Sequence, residues 1–414
     1  MSVGGFLSLA LGCFLLVLAV APHAAHGLSS SSTLGVGSGA VAPSATGGIC
    51  ASSVTIHGYQ CQEFDVVTQD GYILNVLRIP EGRAEGGGGG NKQPILIQHG
   101  VLVDGMIWLL NPPEQDLPLI LADNGFDVWM ANSRGTRFSR RHTSLDPANP
   151  DFWNWSWDEL AAFDIPAVFE FIHGQTGKKI DYVGHSLGTL TGLASISEGR
   201  LVDKLRSVAL LGPVTYLSHM TTPLGVVLAK NSVDQIAMSL GLAEFNLGAK
   251  PLADLVQDFC HFPGVDCFNL LAAFTGSNCC LNDSTIDLFL KNEPQSSSVK
   301  NMVHLGQLFR GGVLAKYDYG NASSNAAHYG DVRPPVYNLS NIPRDLPIFL
   351  SYGGQDALSD KGDVQQQLES LKLHDAGKLT VQFIEYYAHA DFVMGVNAKD
   401  IVFGPLLSFF KNQQ

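Results

Sequence analysis

The chain has 414 residues, of which 45% are hydrophobic and 15% are charged, so it is long enough for a large core in one domain with an insertion, or in two domains. Its formal net charge is -13 at pH 7, and it contains no long run of Lys and Arg. Because contacts to phosphate backbones need clusters of these cations, we expect no nucleic-acid partner.

The N-terminus predicts a secretory signal peptide over residues 1–27. An unbroken run of apolar and small residues extends from Phe6 to Val20, which is shorter than the roughly 20 residues that span a bilayer, and small residues follow near Ala24. No Lys or Arg precedes this run, so an uncleaved membrane anchor is the alternative. We therefore expect entry into the secretory pathway without stable transmembrane anchoring. The final location would be extracellular, or the lysosome or vacuole.

The number of cysteines is consistent with a secreted protein. Removal of Cys13 with the signal leaves six, and an even number in a secreted chain indicates disulfides. Cys50 and Cys61 lie close together in the sequence, and we pair them as a hypothesis. The four cysteines from Cys260 to Cys280 should then pair among themselves. Since no two cysteines form a CxxC pair, we predict no metal site.

Four N-x-S/T sequons also suit a secreted chain. We expect glycans on three of them and not on Asn154, because the aromatic residues from Phe152 to Trp157 predict a buried run there. The sequons begin at Asn154, Asn282, Asn321 and Asn338.

The first segments of the mature chain are a leader and a hairpin. Residues 28–48 are mainly Ser, Gly and Ala without a charge, which predicts a flexible leader. The globular part begins near Cys50. "EFDVVTQDGYILNVLRIP" predicts two strands joined at Asp70-Gly71, because Asp-Gly between alternating apolar runs favours a hairpin. The glycine run after Glu85 is interpreted as a surface loop.

Strands and helices then alternate. "PILIQHG", "FDVWMANSRG" and "LRSVALLGPV" predict short buried strands, and "KIDYVGHSLGTL" predicts strand, turn and helix start. "WDELAAFDIPAVFEFIHGQTG" predicts a helix that ends at Gly174 or Gly177. This order favours an α/β fold, with a mostly parallel sheet covered by helices on both faces.

The alternation stops over 216–340, where helical and loop segments predominate, and it resumes afterwards. "LPIFLSY" and "LTVQFIEYY" predict strands, with helices near 364–373 and 401–410. The simplest organisation is one α/β core, formed by 49–215 and 341–414, with an inserted helical cap at 216–340. A separate middle domain is the alternative.

"GHSLG" predicts a catalytic serine at a sharp turn. Gly184, His185 and Gly188 surround Ser186 between a strand and a helix, which is the context that supports a nucleophile in a G-x-S-x-G motif. The two glycines let strand and helix approach closely. The first N–H groups of the helix then point to where negative charge develops.

A serine needs a base, and in this architecture the chain order is Ser, then Asp or Glu, then His. Asp356 follows a predicted strand on a glycine-rich turn, and His389 follows the last predicted strand. Asp360 and Asp363 fit a helix N-cap better. His374 is the rival base, but it ends a polar helical stretch.

Two backbone N–H groups should form the oxyanion site. One belongs to Leu187, which follows the serine. The second should come from the loop "QHGVLVDG", with Val101 as the candidate, and His99 would shape this loop without taking a proton.

At these residues the chain resembles the acid lipase family of α/β-hydrolases, which includes gastric and lysosomal acid lipases and plant relatives. The likeness runs from about Cys50 to the C-terminus and includes "LIQHGVLVDG", "DVWMANSRGTRFSRRH", "YVGHSLGT", "SYGGQDALSD" and "YYAHADFVMG". Animal members usually have Gln where this chain has Leu187. "GHSLGT", with Cys50 and Cys61 early in the domain, is more similar to plant members.

The resemblance implies an α/β-hydrolase fold and a triad of Ser186, Asp356 and His389, with oxyanion donors at Val101 and Leu187. It implies hydrolysis of long-chain acyl esters such as triacylglycerols, at a lipid–water interface and without a cofactor or metal. A short-chain esterase or acyltransferase with the same triad is one alternative. A non-catalytic binding protein on a hydrolase scaffold is another.

Apolar stretches in the cap predict amphipathic helices that line a pocket over Ser186 and act as a lid. Packing of the cap's own core is the alternative. The stretches are "PLGVVLA", "IAMSLGL", "CFNLLAAF" and "IDLFLK".

Overall fold

A computed structural model describes residues 48–83, 92–222, 226, 238, 241–246 and 267–413, with 267–270 described by backbone alone. The predicted signal peptide and all but the last residue of the leader lie outside these ranges. So do the glycine run, Cys260, all of "PLGVVLA" except Val226, and most of "IAMSLGL".

A nine-stranded sheet forms the centre of the molecule, in the order β1-β2-β4-β3-β6-β7-β10-β11 with β5 beside β2. The six strands from β4 to β11 in this order are parallel, and β1, β2 and β5 pair antiparallel. A separate antiparallel pair joins β8 to β9. The strands are β1 (Gln62–Val67), β2 (Tyr72–Ile79), β3 (Gln93–Gln98), β4 (Phe126–Ala131), β5 (Arg141–His142), β6 (Ile180–Ser186), β7 (Leu205–Pro213), β8 (Glu244–Phe245), β9 (Ser297–Ser298), β10 (Ile348–Gly353) and β11 (Leu379–Ile384).

Helices separate the strands. They are α1 (Leu117–Asp123), α2 (Trp157–Glu159), α3 (Ile165–Thr176), α4 (Leu187–Ser197), α5 (Cys267–Thr275), α6 (Asp283–Asn292), α7 (Val299–Gly311), α8 (Ala322–Tyr329), α9 (Lys361–Ser370), α10 (Asp391–Met394) and α11 (Gly404–Lys411). Single π-helical turns occur at Cys50–Val54, Leu160–Asp164 and Lys399–Phe403, and short 3₁₀ turns at Thr55–His57, Gly105–Leu109, Pro113–Gln115, Pro150–Trp153 and Leu339–Asn341.

The helix predicted after Trp155 is present as α2, a π turn and α3. Ser156 and Glu159 form a capping box at its start. It ends at Gly177, whose φ of 67° is the left-handed conformation that glycine adopts without a steric cost, and not at Gly174.

Core side chains cover both faces of the sheet. Because side chains alternate along a strand, Tyr182 joins the cluster beneath α3 and α4, while its neighbour Val183 joins the cluster beneath α1 and α11. The predicted α/β fold, a mostly parallel sheet with helices on both faces, is therefore confirmed.

The chain returns to the sheet after residues 216–340, since β10 pairs in parallel with β7. The described part of this region holds α5 to α8 and the small β8–β9 pair, which the sequence did not predict. The boundaries of the cap stay a prediction. In the described parts of the chain, no helix has the length and apolar character to cross a membrane.

The structure joins Cys50 to Cys61, which confirms that pairing, and joins Cys279 to Cys280. The expectation that Asn154 is buried is wrong. Its aromatic neighbours are buried, but the turn Pro150–Trp153 ends at Asn154 and leaves its side chain exposed, where it accepts a hydrogen bond from Lys300. The other three sequon asparagines are also exposed.

Candidate active site

Ser186 lies at the junction of β6 and α4 in a strained backbone conformation. Its φ of 54° and ψ of −122° are unfavourable for a residue with a side chain, and such strain costs about 1–3 kcal/mol. The glycines around it allow the turn. A Cβ on Gly184 would lie 2.7 Å from the carbonyl carbon of Gly188, and one on Gly188 would lie 2.6 Å from the oxygen of Gln98. The strand, the helix and β3 therefore approach as closely as a nucleophile turn requires.

His389 and Asp356 form a buried pair on the loops after β11 and β10. Nδ1 of His389 lies 2.8 Å from Oδ2 of Asp356. The other oxygen of Asp356 accepts the backbone N–H groups of Leu358 and Ser359 at 2.9 and 2.8 Å. Nε2 of His389 has no hydrogen-bond partner within the described ranges, so it is available to accept a proton. The carboxylate thus holds one ring nitrogen and leaves the other free.

The rival residues have structural contacts elsewhere. Nε2 of His374 lies 2.7 Å from the carbonyl oxygen of Leu346, and Asp360 caps α9 by accepting the N–H of Gly362 at 2.7 Å. Asp363 accepts hydrogen bonds from Ser218 and from the backbone N–H of His219. None of these four contacts involves His389.

The end of β6 meets the His389 loop through His185. Its Nε2 lies 3.1 Å from the carbonyl oxygen of His389, and the two rings are 4.7 Å apart. Burial, together with the nearby His389, lowers the pKa of His185 well below its usual range. His185 is therefore neutral, and its Nε2–H donates to the His389 carbonyl.

Gly212, near the end of β7, provides the space for the His389–Asp356 pair. A Cβ on Gly212 would lie 3.1 Å from Nδ1 of His389 and 3.4 Å from Oδ2 of Asp356. Its φ of 51° is also unfavourable for other residues. The sequence analysis missed Gly212, although a glycine at the end of a buried strand was a signal for close approach.

The loop after β3 packs directly against Ser186. A Cβ on Gly100 would lie 2.9 Å from Cβ and 3.3 Å from Oγ of Ser186, so the loop that carries Val101 passes beside the hydroxyl. His99 shapes this loop by donating from Nδ1 to the Gly100 carbonyl at 2.8 Å and accepting the Ser133 N–H on Nε2 at 3.0 Å. Burial lowers the pKa of His99, which keeps it neutral. Leu187 is the first residue of α4, on the other side of the serine.

Asp391 is a second residue that the sequence analysis missed. Its carboxylate accepts the backbone N–H groups of Cys279, Cys280 and Ala388 at 3.1, 3.1 and 2.8 Å. The carbonyl oxygen of Thr275 accepts the N–H of His389 at 3.1 Å. The segment after α5 therefore holds the His389 loop. The signal for Asp391 was its place two residues after the histidine in "HADF".

The described residues bring one group of metal-type ligand atoms together, namely those of Cys279, Cys280 and Asp391, within 4.8 Å of one another. The two sulfurs form a disulfide, and the carboxylate already accepts three N–H groups. Since a metal needs thiolates and free carboxylate oxygens, this group does not fit a metal site.

Comparison with known proteins identifies the family of the chain. Residues 50–112 match the family described as a partial α/β-hydrolase lipase region, and residues 93–238 match the α/β hydrolase fold family. Triacylglycerol lipase 2 of Arabidopsis thaliana is 59% identical, over 89% of this chain and 89% of its own length. Human lipase member K is 34% identical over 86% and 88%, and human gastric triacylglycerol lipase 32% over 87% and 90%.

Solved structures are similar in fold. A lipase in its open form matches 86% of this chain and 99% of its own, with a TM-score of 0.53 and 15% identity. A soluble variant of monoglyceride lipase from Saccharomyces cerevisiae matches 84% and 95%, with a TM-score of 0.53 and 13% identity. The family follows from the relatives named above, which are 32% to 59% identical over 86% to 89% of the chain. The chain therefore belongs to the acid lipase family of α/β-hydrolases and is a carboxylic ester hydrolase.

Proposed function

We propose that this protein is a secreted serine lipase that hydrolyses long-chain acyl esters such as triacylglycerols, with Ser186, His389 and Asp356 as its catalytic triad. The observation that carries the proposal is the His389–Asp356 pair, with Nε2 of His389 free, beside a serine in a strained turn. The substrate class is supported by the 59% identity to a protein named triacylglycerol lipase 2.

The first half of the reaction forms an acyl-enzyme. Oγ of Ser186 attacks the ester carbonyl carbon while Nε2 of His389 takes its proton. Asp356 holds Nδ1–H and stabilises the imidazolium that forms. The backbone N–H groups of Val101 and Leu187 donate to the oxyanion, and each such donor is worth roughly 3 kcal/mol in the transition state. The imidazolium then protonates the leaving alcohol as the C–O bond breaks.

The second half releases the acid. Nε2 of His389 removes a proton from water, which attacks the acyl carbon, and the imidazolium returns that proton to Oγ of Ser186 as the acyl C–O bond breaks. His185 and Asp391 contribute by fixing the loop that carries His389. Each proton transfer uses Nε2 of His389, which has no hydrogen-bond partner among the described residues.

The predicted lid is only partly within the described residues. Leu271 of α5 and Phe289 of α6 pack partly against the core cluster beneath α1 and α11, so these helices contribute to packing against the α/β core. We propose that the cap selects the acyl chain and that the enzyme acts at a lipid–water interface.

The test is hydrolysis by the full chain recovered from a secreting host. Initial rates on a triolein emulsion, a steryl oleate emulsion and dissolved ethyl butyrate should be measured at several pH values, with Ser186→Ala as the control. We expect the highest rate on triolein and no rate above background for the control. Fast turnover of the butyrate with none of triolein would instead favour the short-chain esterase, and no turnover of any ester would favour a binding protein.

A further inference from the structure

The segment between α6 and β9 holds the loop that carries Val101. The N–H of Gln295 donates to the carbonyl oxygen of Leu102 at 2.7 Å, and Oε1 of Glu293 accepts the N–H of Asp104 at 3.2 Å. Leu102 has a φ of 60°, which is strained for a residue other than glycine and needs support from its surroundings. Residues 293–295 of the predicted cap thus fasten both ends of the 102–104 stretch.

Two charged groups face Glu293 across this contact. The side chain of Asp104 is fully buried and lies 2.8 Å from Nε of Arg137, whose side chain is 36% exposed. The backbone N–H of Arg137 donates to Oε1 of Gln295 at 3.1 Å, which ties the same segment to the loop after β4. The site therefore contains one guanidinium, that of Arg137, and two carboxyl groups, those of Asp104 and Glu293.

The carboxyl of Glu293 has no role in the mechanism above. It is 4% exposed, and its Oε2 is buried without a hydrogen-bond partner in the described residues. Burial raises the pKa of Glu293 well above its usual range, and the negative Asp104 adds to the effect. The Asp104 N–H, Arg137 and Gln295 act in the opposite direction.

We propose that Glu293 is a positioning residue for the oxyanion loop, and that its ionisation loosens this loop as pH rises. The protonated form leaves one carboxylate, Asp104, paired with one guanidinium. Ionisation adds a second buried negative charge, which is unfavourable unless water enters or the segment withdraws. When the segment withdraws, the hydrogen bond from the Gln295 N–H to the Leu102 carbonyl is lost. Leu102 is the neighbour of Val101, so the oxyanion loop loosens. The inference rests on the proposed role of Val101 as an oxyanion donor.

The carboxyl of Glu293 also makes the stability of the folded protein depend on pH. An exposed Glu in the unfolded chain ionises near a pKa of about 4.3, whereas the pKa of Glu293 in the folded protein is higher. At pH values below the pKa of Glu293 in the unfolded chain, the folded protein has its full stability. As pH rises from there towards the folded value, the unfolded state loses its proton first and the folded state becomes less stable.

The test compares Glu293→Gln, Glu293→Ala and the unchanged chain on dissolved ethyl butyrate between pH 4 and 9. Glu369→Gln is the matched control, since Glu369 is exposed and pairs with the nearby Lys372. We expect kcat of the unchanged chain to fall on the alkaline side, and normalised kcat of both Glu293 variants to persist there. The ratio of normalised kcat of a Glu293 variant to that of the unchanged chain should grow by up to about tenfold per pH unit above the pH at which Glu293 is half ionised. Superimposed profiles would overturn the proposal, and Glu293→Ala alone decides if Glu293→Gln does not fold.

Thermal unfolding gives a readout that does not need activity. With Ser186→Ala as background, the melting temperature should decline more steeply with Glu293 than with Gln at this position as pH rises above about 4.3, the usual pKa of an exposed Glu. Parallel curves would also overturn the inference. If Ser186→Ala itself hydrolysed ethyl butyrate at the normal rate, the proposed triad would fail while these unfolding curves still tested Glu293.

Discussion

Replacing Gly212 by Ala should separate backbone strain from damage to the His389–Asp356 pair of the proposed triad. The added Cβ would lie 3.1 Å from Nδ1 of His389, which is a few tenths of an ångström too close, so the ring must move against Asp356. Gly330→Ala is the control. Its φ is 74°, similar to the 51° of Gly212, but a Cβ there meets no atom within 4 Å.

Both variants should lose about 1–2 kcal/mol of unfolding free energy, because a left-handed conformation costs about that much for a residue with a Cβ. Only Gly212→Ala should lose kcat. A misplacement of 1 Å costs about 100-fold, so a smaller shift of His389 should cost about 10- to 100-fold, or about 1.4–2.7 kcal/mol of transition-state stabilisation. KM should change little, because the proposed role of His389 is proton transfer and not substrate binding.

The assay is kcat and KM on dissolved ethyl butyrate, with chemical denaturation of both variants to measure stability. If kcat of Gly212→Ala stays within about twofold of the unchanged chain, the close contact with His389 does not matter for the reaction. Equal losses of kcat in Gly212→Ala and Gly330→Ala would show that strain alone lowers activity. Either result would refute the reasoning from the contact.

Three further predictions concern the proposed site and the cap. Ser186→Ala, Asp356→Asn and His389→Ala should each remove most ester hydrolysis, by on the order of 10⁴-fold for the serine, with unchanged circular dichroism; a folded Ser186→Ala with near-normal turnover would exclude the triad. Asp391→Ala leaves three N–H groups without their acceptor, at about 1–3 kcal/mol for each one that stays dry, so it should lower both melting temperature and kcat. An unchanged kcat would show that the His389 loop does not need this anchor. Polar substitution within 267–274 should reduce hydrolysis of triolein more than that of ethyl butyrate, and equal losses would remove this helix from acyl-chain selection.

Local patterns in the sequence were sufficient for most strands and helices of the α/β core, but not for the β8–β9 pair. The Asp70-Gly71 hairpin, the helix that ends at Gly177 and the strand before Ser186 all depend on hydrophobic period, turn residues and caps, which act over a few positions. The position of His389 after the last strand could be predicted because parallel strands present their carboxyl ends at one edge.

The burial of individual side chains was less predictable. Asn154 lies within a buried aromatic run, yet one short turn exposes its own side chain. A run of residues shares an environment on average, but the backbone direction at each position decides which side chain faces solvent. Lys300 of α7, which donates to the Asn154 side chain, is 146 positions away, and no local pattern contains that contact.

The sequence by itself determined the order of strands and helices in the α/β core and the sharp turn at Ser186, because each follows from residues that are near one another in the chain. Only the tertiary structure decided which backbone groups hold the site. Asp391 meets Cys279 across 112 positions, and Glu293 meets Asp104 across 189. Such contacts form because the parallel sheet brings the ends of β3, β10 and β11 to one edge, where buried polar groups must find partners or remain costly.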